Sequence, residues 1–259
     1  RAVPLPIGET MAARALLAAA GARAPDGPIV LAVVGRAGTV TVPLGLTAQH
    51  VLLESEVGLT LQEAQAGEPQ PTGVFGDLAG RFTWGEAGSG EVLAAPAAGL
   101  RARAALVRSA LIAGAADKLV QDSAHYAAQR VQFGKPIARQ QVLQQNLAVM
   151  AEQAVAARLA SQLGWAAGFP AILAAAATAK SVASAAAAMV ANMAHAIHGA
   201  IGISEEYDLQ LLTRRLHEWR LVDGSEGYWN RLLGAERLKA AGGSVDFVRH
   251  ALSHGDALA

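Results

Sequence analysis

Residues 126–147, YAAQRVQFGKPIARQQVLQQNL, decide how the rest of the chain is read. A helix rich in Ala, Leu and Val runs into Arg130, Phe133 and Gly134 break it, Pro136 fixes a turn, and a second helix starts near Ala138. Glycine is permissive at a helix C-terminus and proline cannot continue a helix, so the spacing predicts a helix-turn-helix corner. The corner presents a fixed positive charge at Arg130, an exposed aromatic ring at Phe133, and amides at Gln141, Gln144 and Gln145. Arginine forks onto phosphate oxygens, a ring stacks, and amides read polar edges, a set that suits a phosphate-bearing aromatic ligand. An ordinary corner, with Arg130 solvated and Phe133 tucked under the turn, fits the same spacing.

Outward from the corner the chain is helical on both sides. Before it, residues 100–130 place Leu106, Val107, Leu111, Ala115, Leu119 and Val120 at helical spacing, with Arg103, Lys118 and Asp122 between them. After it, residues 141–167 read as one helix and 169–198 as another, made mostly of alanine with Ser, Thr and Met. Small side chains let backbones approach closely, so 169–198 is expected to be the innermost helix of a bundle or an oligomer seam. Past the Gly199–Gly202 turn, further helices are expected over 208–220, 225–241 and 245–252. Residues 29–93 differ: short runs of β-branched residues at 28–34, 38–42, 48–54, 58–61, 82–84 and 92–93 predict strands, with 68–71 a loop. Pro6 opens a helix that runs to about Ala20. The fold class is therefore α+β, mostly α: a small β domain followed by a four-to-five-helix bundle.

The chain's 259 residues suffice for one large or two modest domains. Its 21 basic and 21 acidic side chains balance, so nothing suggests nucleic acid or an anionic membrane surface as partner. No cysteine is present, which excludes disulfides, thiolate catalysis and Cys-ligated metal and fits a cytoplasmic protein. No strongly apolar run of about 18–20 residues predicts membrane insertion. The region 29–93 has neither a P-loop nor a GxGxxG fingerprint.

Three blocks resemble the C-terminal helical domain of acyl-CoA dehydrogenases. They are RVQFGKPI (130–137) with Gln141 and Leu147-Ala148, HGAIGIS (198–204) with Glu206, Asp208 and Arg214-Arg215, and WRLVDGSEGYWNRLLG (219–234). The resemblance implies residues 1–24 as the remnant of an N-terminal helical domain, 25–97 as a shortened middle β domain, and 98–259 as the C-terminal bundle. It implies FAD as cofactor, an acyl-CoA substrate, and a homo- or hetero-oligomer with another such chain. Arg130 and Gln132 would meet the flavin pyrophosphate, Phe133 would pack on the cofactor, Gln141 would approach its adenine end, and His198 and Gly199 would form the glycine-rich turn beside it. Ala196 lies where a glutamine usually contacts the cofactor, and Ala200 replaces the second glycine. The family's Ser/Thr-rich flavin loop has no recognisable copy in the β region.

Removing hydrogen across an unactivated Cα–Cβ bond needs a base for the α-proton and a cofactor to accept the hydride. By resemblance the base position falls on Asp223, one methylene shorter than the usual Glu, and Glu226 is its rival. Asp223 equally suits the N-terminus of the following helix, and Glu226 its dipole. The position on the first long helix where some relatives carry the base falls at about Ala104, which cannot act. These departures point to the less active partner of a two-chain enzyme; a non-catalytic scaffold that kept the fold and lost flavin is the alternative. His195 and His198 share a helix face, but no third ligand at a metal-like spacing accompanies them, so no metal is expected. Trp219, Tyr228 and Trp229 read as core or interface anchors.

Overall fold

The computed structural model describes residues 5–34, 38–56, 58–74, 76–84, 92–93, 99–166 and 173–252. Contacts divide the chain into two units, Arg1–Val107 and Arg108–Ala259. In the first, α1 (Ile7–Ala19) starts directly after Pro6 and buries Ala12, Ala13, Leu16 and Leu17 along one stripe. Thr10 Oγ1 accepts from the Ile29 amide at 3.0 Å and donates to its carbonyl at 3.1 Å, which clips α1 to β1 (Ile29–Val33).

Two sheets follow, with β2 (Thr39–Val42), β3 (His50–Ser55), β4 (Gly58–Glu63), β5 (Gln70–Pro71), β6 (Gly80–Thr83) and β7 (Val92–Leu93) numbered along the chain. One has the order β1-β3-β4-β7 and the other β2-β6-β5. The β1–β3 pair is parallel, setting Leu31 beside Leu52, and β3–β4 is antiparallel, setting Leu52 opposite Leu61. Val30, Ala32, Val51, Leu53, Phe82 and Trp84 form the core, the last two stacked at 5.1 Å. Residues 70–71, expected as loop, form a two-residue strand. It lies at the sheet edge, where proline is tolerated in a strand. The long helix α2 (Gly99–Gln129) opens in this unit, with the Leu100 amide donating to Glu54 Oε2 at 3.0 Å.

The second unit holds the rest of α2 with α3 (Gln141–Ala166), α4 (Leu173–His198), α5 (Leu209–Leu221), α6 (Glu226–Lys239) and α7 (Ser244–Leu252). Fifteen of the 26 residues of α4 are buried, most of them alanine. Ala183, Ala187 and Val190 meet Ile112, Leu119, Met150, Leu216 and Trp219 there. By length and composition α4 is also apolar enough to cross a membrane. Its burial among α3, α5 and α6 makes it the bundle's core helix. The expected start of this helix at 169 lies outside the described residues.

The 126–147 corner is not a plain helix-turn-helix. α2 ends at Gln129, and β8 (Val131–Gln132) pairs with β9 (Lys135–Pro136) around Phe133 and Gly134. Both tip residues have positive φ, +53° and +76°, the signature of the two-residue turn whose twist matches a hairpin. A 3₁₀ turn, Ile137–Arg139, then delays the helix start from the expected Ala138 to Gln141.

Candidate functional site

The last turn of α2, the hairpin and the end of α4 flank an open cavity of about 470 Å³. Tyr126, Arg130, Gln132 and Gln140 line one side, and Ala196, His198, Gly199 and Ala200 the other. Arg130 is anchored through its backbone: its N–H donates to the Tyr126 carbonyl at 2.8 Å, and its carbonyl accepts from the Ile137 amide at 2.8 Å. Gly199, at φ +61°, follows the last residue of α4 in the left-handed conformation common at helix ends.

His198 is 3% exposed. Its ring stacks on Tyr126 at 4.4 Å and tilts against Tyr207 at 5.3 Å. Nδ1 lies 2.8 Å from the Ala194 carbonyl. A carbonyl only accepts, so Nδ1 carries the proton and Nε2 is left with a lone pair. That Nε2 is buried without a protein partner. Burial pushes the imidazole pKa below its ordinary value, against the Ala194 hydrogen bond and nearby Asp122, and keeps the ring neutral at pH 7.

A second polar cluster surrounds the α5–α6 turn. Asp223 sits at φ +59°, and its carboxylate accepts from Arg108 Nε at 3.3 Å, with both side chains almost wholly buried. Glu226 is gripped by Arg220, whose Nε reaches both carboxylate oxygens at 3.1 Å and whose Nη2 also bonds Oε1. The Arg220 hydrogen bond holds the Glu226 carboxyl below its usual range. Beneath the turn, fully buried Lys180 donates to Ser184 Oγ at 2.8 Å, the Arg220 carbonyl at 3.0 Å and the Gly224 carbonyl at 2.8 Å. Burial pushes Lys180 down to about 7. Trp229 Nε1 closes the turn by donating to the Asp223 carbonyl at 3.1 Å.

A model of the acyl-CoA dehydrogenase C-terminal domain matches residues 101–239, more than half of the chain. The chain belongs to the acyl-CoA dehydrogenase family. It is 36% identical over 127 residues to the 3-sulfinopropanoyl-CoA desulfinase of Paraburkholderia xenovorans, covering 48% of this chain and 31% of the relative. To the acyl-CoA dehydrogenase IpdE2 of Mycobacterium tuberculosis it is 32% identical over 122 residues, 47% of this chain and 37% of the relative. The matches thus span about a third of the length of these curated relatives. A chain of the ChsE4-ChsE5 complex from Mycobacterium tuberculosis has the same fold. Its TM-score is 0.69 at 22% identity, covering 84% of this chain and 68% of that one.

Against the family's pattern, the structure brings Arg130, Gln132, His198 and Gly199 onto one cavity, together with the substituted positions Ala196 and Ala200. Phe133 is not among the lining residues; it stands at the hairpin tip, 92% exposed, rather than tucked under the turn. Gln141 opens α3 on an exposed face, and its neighbour Gln140 lines the cavity instead. Tyr126 and Gln140 carried no sequence signal beyond their nearness to Arg130. Lys180 did carry one, as a charge inside an alanine helix. Asp223 and Glu226 fall in the second cluster, both ion-paired. His195 Nε2 is engaged by Thr213 Oγ1 at 2.9 Å. Trp219 and Trp229 are buried core anchors.

Proposed function

We propose that this chain is one subunit of a tetrameric or heterotetrameric FAD-dependent acyl-CoA dehydrogenase, and the weakly active partner in it. In this reading it lends the cavity at the end of α4 to an FAD held mainly by a second acyl-CoA dehydrogenase-like chain. The observation that carries it is the convergence of Arg130, Gln132 and His198 on one cavity. Its volume is within the range of small-molecule sites. Arg130 supplies a fork of donors for phosphate oxygens, Gln132 and Gln140 offer amides, and His198 Nε2 offers an acceptor. That donor set fits the phosphate-bearing, adenosine half of FAD, and bound FAD supplies the hydride acceptor that α,β-dehydrogenation of an acyl-CoA requires.

The carboxylates support the partner role. A general base must come within about 2.6–3.2 Å of the atom whose proton it takes, with a lone pair aimed at that proton. Asp223 accepts through Oδ2 from Arg108 and Glu226 through both oxygens from Arg220, so each carboxylate is held in place by a guanidinium that stabilises its charged form and weakens it as a base. An acyl-CoA substrate agrees with the thioesters named in the two curated relatives. Assembly with another chain agrees with the named ChsE4-ChsE5 complex. It agrees also with the exposed stripe Val155, Leu159 and Leu163 at i, i+4 and i+8 on α3.

The test is the visible absorbance of the chain purified alone and with its candidate partner, followed by acyl-CoA turnover. Flavin bands and turnover only in the assembly, both weakened by Arg130→Gln, are expected. Stoichiometric flavin and turnover from the chain alone would refute the partner role. A colourless, inactive assembly would favour a scaffold.

A further inference from the structure

We propose that His198 is a specificity-determining acceptor of the cavity: its neutral Nε2 takes a hydrogen bond from a hydroxyl or amine of the phosphate-bearing ligand, not from a phosphate oxygen. The inference rests on the nucleotide reading of this cavity.

Geometry fixes the sense of the bond. The Ala194 carbonyl, 2.8 Å from Nδ1, requires a proton there, so in the neutral ring Nε2 presents only a lone pair. Its residue is 3% exposed and lines the cavity, and the atom has no protein donor. A buried acceptor left unpaired is costly, so a donor arriving from the ligand is favoured and a second acceptor repelled. The stack on Tyr126 and the tilted contact with Tyr207 hold the ring plane, and the Nδ1–Ala194 hydrogen bond opposes a flip of the ring, so Nε2 stays where it is.

The charged and titratable groups around the ring agree with this sense. Burial disfavours the imidazolium, and His195 on the same helix adds to that. Asp122 on α2 acts the other way, and burial raises the Tyr207 phenol above its ordinary value and keeps it uncharged. Arg130, on the cavity wall, is a cation that opposes a second positive charge and is itself suited to phosphate. Arg130 and His198 therefore divide the work, one reading the anion and the other a donor group. The source of that donor is a sugar hydroxyl or an exocyclic amine.

The test is calorimetric titration of the assembled protein, freed of flavin, with ADP, 2′-deoxy-ADP, 3′-deoxy-ADP and inosine diphosphate. His198→Phe keeps the ring stack and removes the acceptor. ADP is expected to bind the wild type about five- to tenfold more tightly than this variant near pH 8. The advantage should shrink on acidification below the ordinary imidazole range, as protonation turns the acceptor into a donor. One analogue should bind the wild type as weakly as ADP binds the variant, and that analogue names the donor. If the variant fails to fold, the wild-type analogue series and the ¹⁵N shifts of the His198 ring report the same bond. Tighter ADP binding on acidification, or equal affinity for all four nucleotides, overturns the inference and leaves the nucleotide reading standing. Absence of ADP binding at every pH overturns both.

Discussion

Lys180 offers the sharpest test of how the bundle is held together. It is fully buried in a helix otherwise made of small residues, and its pKa is pushed to about 7 from an ordinary 10.5. The sign of the linkage follows. Below about pH 7 the lysine is protonated in both folded and unfolded chains, and its burial penalty is fully present. Between about 7 and 10.5 only the unfolded chain holds the proton, so unfolding takes one up and stability rises with pH. One proton corresponds to about 1.4 kcal/mol per pH unit, or roughly 2–3 kcal/mol from pH 7 to 9. Lys180→Met removes the titration. It also leaves the Gly224 carbonyl without this donor, while the Ser184 hydroxyl still serves the Arg220 carbonyl at 3.2 Å. Urea unfolding of both proteins across that range should therefore show wild type gaining on the variant by roughly 2–3 kcal/mol. A constant gap would refute the reasoning: it would mean that three acceptors at 2.8–3.0 Å keep the ammonium charged despite its burial.

Other expectations concern the turn, the hairpin and the core. Asp223→Ala should destabilise by about 3–5 kcal/mol by taking a buried carboxylate from Arg108, whereas Asp223→Asn, which tolerates the left-handed backbone and can still accept, should cost only about 1–2; denaturant midpoints decide, and a stable Ala variant would refute the structural role. Phe133→Asn should raise stability by about 0.5–1 kcal/mol, since the ring buries almost nothing and its φ of +53° is unfavourable. The same change should lower flavin retention by the assembly, measured by absorbance after gel filtration. Ala187→Leu, at a fully buried position of α4, should cost about 1–3 kcal/mol by overpacking, read as a lowered thermal midpoint.

Periodicity made most of the fold legible. The alanine run of α4, the spacing in α2 and the β-branched strand runs each report burial that a linear sequence records directly. The polar clusters were far less visible, because their partners lie far apart in the chain. Arg108 and Asp223 are separated by 115 positions, and Lys180 and Gly224 by 44. A carboxylate that fits the base position looks the same in sequence whether it is free or held by an arginine. At the cavity, Arg130, Gln132, His198 and Gly199 were readable from the family blocks. The place of Gln140 on its lining was not, because a 3₁₀ turn occupies 137–139 and delays the helix. The exposure of Phe133 was legible in the corner's composition, but not the hairpin tip that produces it, where a helix-turn-helix corner had been expected.

The hairpin tip has a consequence in entropy. Ordering a flexible loop on association costs about 1–2 kcal/mol per residue for backbone and about 0.5–1.5 for each immobilised side chain. Phe133 and Gly134 already occupy a single left-handed pair of wells, closed by the pairing of Gln132 with Lys135 and Val131 with Pro136. Any surface that covers this ring meets a tip whose backbone freedom was surrendered when the chain folded. Association at the tip therefore loses only the side-chain part of that cost from the benefit of burying a phenyl group, and the chain by itself carries the matching liability of an apolar ring exposed to water.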